Sequence, residues 1–392
     1  MRGQTVILGC VLGLVLAAGV LGLVQPGGGR RVGPAPGPVL SDCDGAIGEL
    51  VIQYAAAAAE IVAPVYREFL PNLPADVTVH VVCPDQAAFA DLADRVGSVA
   101  CRLRPIAVGH AMSAWSRDRW LALRPPAGGG PVTLLHPREE AGAAAWPRRA
   151  GDGRIADDLA AALGEAVAAR RCSLLFDGGD FVADERRVFV TPRVTRRNVQ
   201  HTVTGRTELL AGLRAALGRQ IVLLADSPDH HAGMFMMPAG GNVVLVGSPA
   251  LAAKIRDESG SGDGGGSRNG DKHLRSAAEP VPVSGADFSA ATQRRFDAVA
   301  ERCAEAGCRV VRIPVVPGRD GRSYLTYLNV ILDQRDGRRI VYMPVFGGVE
   351  ALNESGAAVW RSLGYEVCPV DCTSAYAYGG SLRCLVSVLR RG

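Results

Sequence analysis

The chain has 392 residues, 48% of them apolar, and 43 basic side chains stand against 39 acidic ones for a net charge of +4. That is enough for one large domain or two small ones with a sizeable core. Only Lys254 and Lys272 are lysines, and no basic stripe with interleaved aromatics runs along the chain, so no nucleic-acid partner is expected.

Residues 6–24 form an apolar run behind Arg2. The run sits at the lower edge of what spans a bilayer. No A-x-A-like exit follows, so an uncleaved signal anchor is favoured over a cleaved signal peptide. Either places the remainder outside the cytoplasm, membrane-anchored or secreted. Residues 25–44 open with a Gly/Pro-rich stretch and are expected as a flexible linker. Beyond Cys10 the chain carries nine cysteines, and in an oxidising compartment an odd set points to disulfides plus one free thiol. Cys303/Cys308 and Cys368/Cys372 are close pairs and Cys83/Cys101 is a third candidate, although spacing alone does not fix pairing. Buried reduced thiols are the alternative.

Residues 45–70 are Ala-rich and read as a helix; 77–83 alternate as a strand, and 85–96 follow as a helix opening on Asp85. Residues 155–170 read as a second amphipathic helix. Then one order recurs: strand, strand, helix, strand. Residues 181–183 and 188–192 flank the turn Asp184-Glu185, 206–217 are helical and 220–224 form a strand. Strands at 233–237 and 242–247 repeat the hairpin, with a helix beginning near Ser248. Strands at 325–332 and 339–343, a helix over 350–363 and a strand over 366–370 repeat it again. Residues 258–279 are Gly/Ser/Asp-rich and read as a surface loop inserted in the domain. A repeated supersecondary unit is the main clue to the fold.

Five polar spots fall at strand–loop junctions of these units: Trp115-Ser116-Arg117-Asp118, Asp177-Gly178-Gly179-Asp180, Asp229-His230-His231, the stretch from Tyr324 to Asn329, and the stretch from Gly379 to Cys384. Units packed around an axis bring such spots together at the centre. The two adjacent histidines have no third ligand at a useful spacing, so no metal site is expected. No phosphate-loop string is present either, and nothing calls for a cofactor.

In order, these five spots resemble the motifs of agmatine deiminases and bacterial peptidylarginine deiminases, members of the guanidino-modifying (pentein) superfamily. Trp115-x-Arg117-Asp118 resembles W-x-R-D, Asp177 to Asp180 resembles E-G-G-N/D, and Asp229-x-His231 resembles the start of D-x-H-x-D-x-F. Tyr324 to Asn329 resembles S/T-Y-x-N, with Pro344 matching a later proline, and Gly379-Gly380 to Cys384 resembles G-G-x-x-x-C. The resemblance implies an α/β propeller, pseudo-fivefold in a strand-strand-helix-strand unit around a central active site, over residues 45–392 with an insertion at about 258–280.

It also implies a chemistry that suits the residue types. A guanidinium is planar and always charged, and a carboxylate binds it edge-on through charge-assisted hydrogen bonds. Asp118 is the candidate, with Trp115, Arg117 and Asp180 as further substrate-binding residues. Cys384 is the candidate nucleophile for the central guanidino carbon. His231 suits proton transfer to the leaving amine and from water. Asp177 would orient His231, and Asn329 would position Cys384 or donate to the adduct. The partner is a small-molecule or peptide guanidino substrate.

Gly233 departs from the pattern, because the family carries there a second guanidinium-binding Asp. Arg383 stands where agmatine deiminases tend to have His. Three outcomes follow: Asp177 or Asp180 replaces the missing carboxylate, the substrate is not a simple guanidinium, or hydrolysis is lost and the fold serves binding. The two functional readings are therefore a deiminase and a non-catalytic binding protein.

Overall fold

The structure is a computed structural model that describes residues 36–138, 149, 151–260 and 284–392. The apolar run 6–24, Cys10, most of the Gly/Pro-rich stretch and nearly all of the 258–279 insertion lie outside the described residues. Among the described residues no helix is long and apolar enough to cross a membrane.

The described residues form five sheets with their helices. In the first, β1 (Ile47–Gln53), α1 (Ala59–Phe69), β2 (Thr78–Cys83), α2 (Gln86–Val96) and β3 (Arg102–Ala107) run in parallel register. The second comprises the hairpin β4 (Leu121–Leu123) and β5 (Val132–His136), α3 (Ile155–Leu163) and β6 (Val167–Arg171). The third comprises β7 (Phe181–Ala183), β8 (Arg187–Val190), α4 (Pro192–Asn198), α5 (Arg206–Leu217) and β9 (Gln220–Leu223).

The fourth adds a strand: β10 (Met236–Pro238), β11 (Val243–Ser248), α6 (Pro249–Gly260), α7 (Ala290–Glu305), β12 (Arg309–Pro317) and β13 (Tyr324–Thr326). The fifth comprises β14 (Ile331–Arg335), β15 (Arg338–Val345), α8 (Glu350–Ser362) and β16 (Glu366–Asp371). After α9 (Thr373–Tyr376) and α10 (Leu382–Leu385), β17 (Val386–Arg391) returns to pair antiparallel with β1. Each sheet thus pairs an antiparallel neighbour, then a parallel one across a helical crossover. No strand ladder joins one of these five sheets to another among the described residues, so strand pairing closes no ring.

Three sequence expectations are corrected. The helix expected over 45–70 begins only at Ala59, because Ile47–Gln53 is a buried central strand between β17 and β2. The helix expected over 155–170 stops at Leu163. Gly164 takes a positive φ of 58°, and Val167–Arg171 leaves to pair with β5. The strand expected over 325–332 breaks between β13 and β14, and Asn329 lies in the break. The α2 start holds: Asp85 accepts from the Ala88 N–H at 2.8 Å.

Residues 37–40, in the stretch expected as linker, are hydrogen-bonded to the body. Val39 N–H donates to Leu217 O and Leu40 N–H to Ala122 O. The nine described cysteines are all free, so the expected disulfides are absent. Cys83 and Cys101 each turn their Sγ to a backbone carbonyl, of Ile106 and Leu70 respectively. Eight of the nine are buried, as small apolar residues.

Candidate active site

Four of the five polar spots line one cavity of about 800 Å³, and the fifth stands behind it through Asn329, which contacts Cys384. Trp115 and Asp118 reach it from the β3–β4 connection, Asp177 from the turn before β7, His231 from the β9–β10 connection and Cys384 from α10. Two glycines make the approach possible. A Cβ at Gly179 would stand 2.4 Å from His231 Nδ1, and one at Gly380 would stand 2.3 Å from the Trp115 ring. Each glycine lets a ring lie against bare backbone.

Cys384 is buried, and its N–H donates to Asn329 Oδ1 at 3.2 Å; the same oxygen lies 3.5 Å from Sγ. Asn329 thereby sets the turn that carries the thiol. Its Nδ2 is a buried donor without a partner.

The His231 Nε2 lies 3.7 Å from Asp177 and its Nδ1 3.9 Å from Asp118. Burial pulls its pKa down, but the neighbouring Asp177 and Cys384 and the charges of Asp118 and Asp180 more than offset this and hold it well above the usual histidine value. Asp177 is the mirror case. Burial pushes its pKa up, yet the nearby His231 and the charges of Arg197 and Arg193 hold it below the usual carboxylate range. Both shifts favour the imidazolium–carboxylate form of the pair.

His230 fixes the position of His231. Its Nε2 donates to Arg322 O at 3.0 Å, and its Nδ1 accepts from the His231 N–H at 2.7 Å. Both nitrogens are used by a neutral ring, whose pKa burial and the neighbouring His231 push down to about 3. This role is invisible in the sequence beyond the adjacency of the two histidines.

Asp118 is buried, with one oxygen bound by Arg149 Nη2 at 2.5 Å and the other, Oδ1, without a hydrogen-bond partner. The remaining two expected residues do not line the cavity. Arg117 turns its guanidinium to Asp42 at 3.3 Å, and burial followed by the Arg383 charge pushes its pKa down to about 10. Asp180 is buried beneath, accepting from the Asp177 N–H and from Thr191 Oγ1. Arg383 is also buried, and it donates to Asp42 at 3.0 Å and to Phe181 O at 2.8 Å.

Sequence reading missed the arginines of the cavity. Five line it with four aspartates. Arg193 and Arg197, one turn apart on α4, contact Asp177 at 3.0 and 3.3 Å; their i, i+4 spacing after that aspartate was the available signal. Among the described residues no group of three or more His, Cys, Asp or Glu is arranged to hold a metal ion.

No protein-family model matches the sequence, and no curated protein matches it. Solved structures do match. An agmatine deiminase from Enterococcus faecalis superimposes with a TM-score of 0.63 at 12% identity, over 92% of this chain and 98% of that one. A C. jejuni agmatine deiminase gives 0.60 at 14% identity, over 89% and 95%. A provisionally assigned peptidyl-arginine deiminase gives 0.63 at 12% identity, over 91% and 99%. Likeness at such identities is likeness of fold, and on that ground this chain has the α/β fold of those three structures.

Proposed function

We propose that the chain is a deiminase: it hydrolyses a guanidino group to a ureido group and ammonia through a covalent adduct on Cys384. The supporting observation is that Cys384, His231, Asp118 and Asp177 line one cavity, with the imidazole 3.7 Å from Asp177, whose charge favours its protonated form. Asp118 Oδ1, an unsatisfied buried acceptor, is the atom that takes a substrate guanidinium N–H.

Cys384 Sγ attacks the guanidino carbon as the thiolate, forming a C–S bond. His231 gives its proton to the departing nitrogen, and ammonia leaves as the C–N bond breaks. The neutral His231 then takes a proton from water, the oxygen attacks the same carbon, and the C–S bond breaks to release the ureido product. One histidine serving both steps is worth roughly 10²–10⁴ in rate. Asn329 holds Cys384 in position, and Asp177 keeps the imidazole oriented and charged. Trp115 walls the cavity, while Arg117 and Asp180 support it from behind.

The wider reading is one domain over residues 45–392, its five units set around the cavity as a propeller, exported behind an anchor at residues 6–24. A second reading is favoured by one observation: Gly233 supplies no carboxylate where the family pattern has its second guanidinium-binding Asp, and Arg383 borders the space a side chain there would enter. On that reading the fold binds a ligand without turning it over. Ureido-product and ammonia release from agmatine, arginine and arginyl peptides, compared with Cys384→Ala, tests the choice. Turnover lost in the variant supports the deiminase; no turnover on any substrate, with Cys384 inert to a guanidino-mimicking alkylating agent, supports the binding protein.

A further inference from the structure

Building on the deiminase reading, we infer that the substrate carries a carboxylate beside its guanidino group, received by Arg322 and Arg196 at the cavity mouth. The charges of the cavity lead there. Five arginines against four aspartates leave one positive charge in excess, and the protonated His231 adds another. A pocket for a substrate that is cationic at both ends would carry the opposite excess.

The acids are moreover already engaged. Asp118 is held by Arg149, Asp177 by Arg193 and Arg197, and Asp229 by Arg196. Asp320 accepts from the backbone N–H groups of Arg322 and Ser323. Of the four, only Asp118 has a buried oxygen left without a partner, and the guanidino end takes it.

Arg322 has the opposite character. Its backbone is pinned, because its N–H donates to Asp320 and its carbonyl accepts from His230. Its guanidinium is exposed at the cavity and makes no ion pair among the described residues. A fork of N–H donors on a fixed backbone suits a carboxylate, and a carboxylate lowers the positive excess of the lining. Arg196 is about half exposed and lines the same cavity, so it can share the anion with Asp229.

Matched ligands test this. Calorimetric titration of Cys384→Ala, with Cys384→Ser as the substitute should that variant not fold, compares arginine with agmatine, which lacks only the carboxylate. It also compares a peptide ending in arginine with its C-terminal amide. The expected result is binding at least about tenfold tighter for the carboxylate member of a pair, which is about 1.4 kcal/mol. The free-amino-acid and peptide arms tell which source of carboxylate is taken. Adding Arg322→Gln and Arg196→Gln should bring the ratio close to one. Equal or tighter binding of agmatine and the amide, a ratio that survives both substitutions, or binding of neither member would overturn the inference. Selective binding without turnover by the unsubstituted protein would remove the deiminase reading alone.

Discussion

Arg383 occupies the flank of Gly233: a Cβ built on that glycine would stand 3.2 Å from Arg383 Nη1 and 3.0 Å from Asn329 Nδ2. The space is bordered by a buried guanidinium anchored on Asp42, so a carboxylate placed there meets the chain's own cation first. Gly233→Asp is therefore expected to pair with Arg383 and to change KM for a guanidino substrate by less than about threefold. Steady-state kinetics check it. A KM lowered tenfold or more would mean that the new carboxylate reaches the substrate.

His231 binds its proton more tightly in the folded chain than the unfolded value of about 6.5 allows. The stability this contributes is full below pH ~6.5 and is lost as pH rises through the raised folded value. In the proposed mechanism the same proton is delivered to the leaving nitrogen, so kcat should fall on the alkaline side. Asp177→Asn removes the first partner that holds the proton. The alkaline limb should move to lower pH by at least about one unit. A limb that stays in place would separate Asp177 from the titration of His231.

His230 has the opposite sign. The unfolded ring takes up a proton near pH 6.5 and the folded one only at about 3. Its contribution to stability is complete above pH ~6.5 and is lost as pH falls, by roughly a few kcal/mol over the window. Melting temperature should therefore drop less steeply between pH 6.5 and 4 in His230→Gln than in the parent. Parallel curves would show that the buried ring does not govern acid sensitivity.

Arg149 holds one oxygen of Asp118, the carboxylate proposed to take the substrate guanidinium. Its Nε also donates to Asp152 at 3.1 Å, which fixes it in place. Arg149→Gln should release Asp118 and lower KM for a guanidino substrate severalfold, since competing charge-assisted bonds are worth roughly 1.5–3 kcal/mol each. A raised KM would show instead that Arg149 shapes Asp118 for binding.

The repeat was legible because hairpin, helix and parallel strand each leave a local mark. Arg206–Leu217 falls where helical periodicity puts it, and the turn at Asp184 announces its hairpin. Ile47–Gln53 was hidden by the alanine run behind it, and only its neighbours β17 and β2 make it a strand. In the site, motif order led to Cys384, His231, Asp118, Asp177 and Asn329, the first four of which line the cavity with Asn329 behind the thiol. The misplacement of Arg117 has a long-range cause. Its partner Asp42 lies 75 residues upstream, in a stretch whose composition reads as linker. The same Asp42 holds Arg383 from 341 residues away, a pairing no local pattern encodes.

The pairing of β17 with β1 joins Arg391 to Ile47, and Cys384 lies just ahead of that last strand. During synthesis the thiol thus leaves the ribosome after every other member of the cavity. The strand that follows it docks on β1, one of the most sequence-distant contacts and therefore among the slowest to close. On the deiminase reading, a nascent chain that already displays Asp118, Asp177, His231 and Asn329 still lacks its nucleophile, so reactivity waits for one of the latest contacts of the fold.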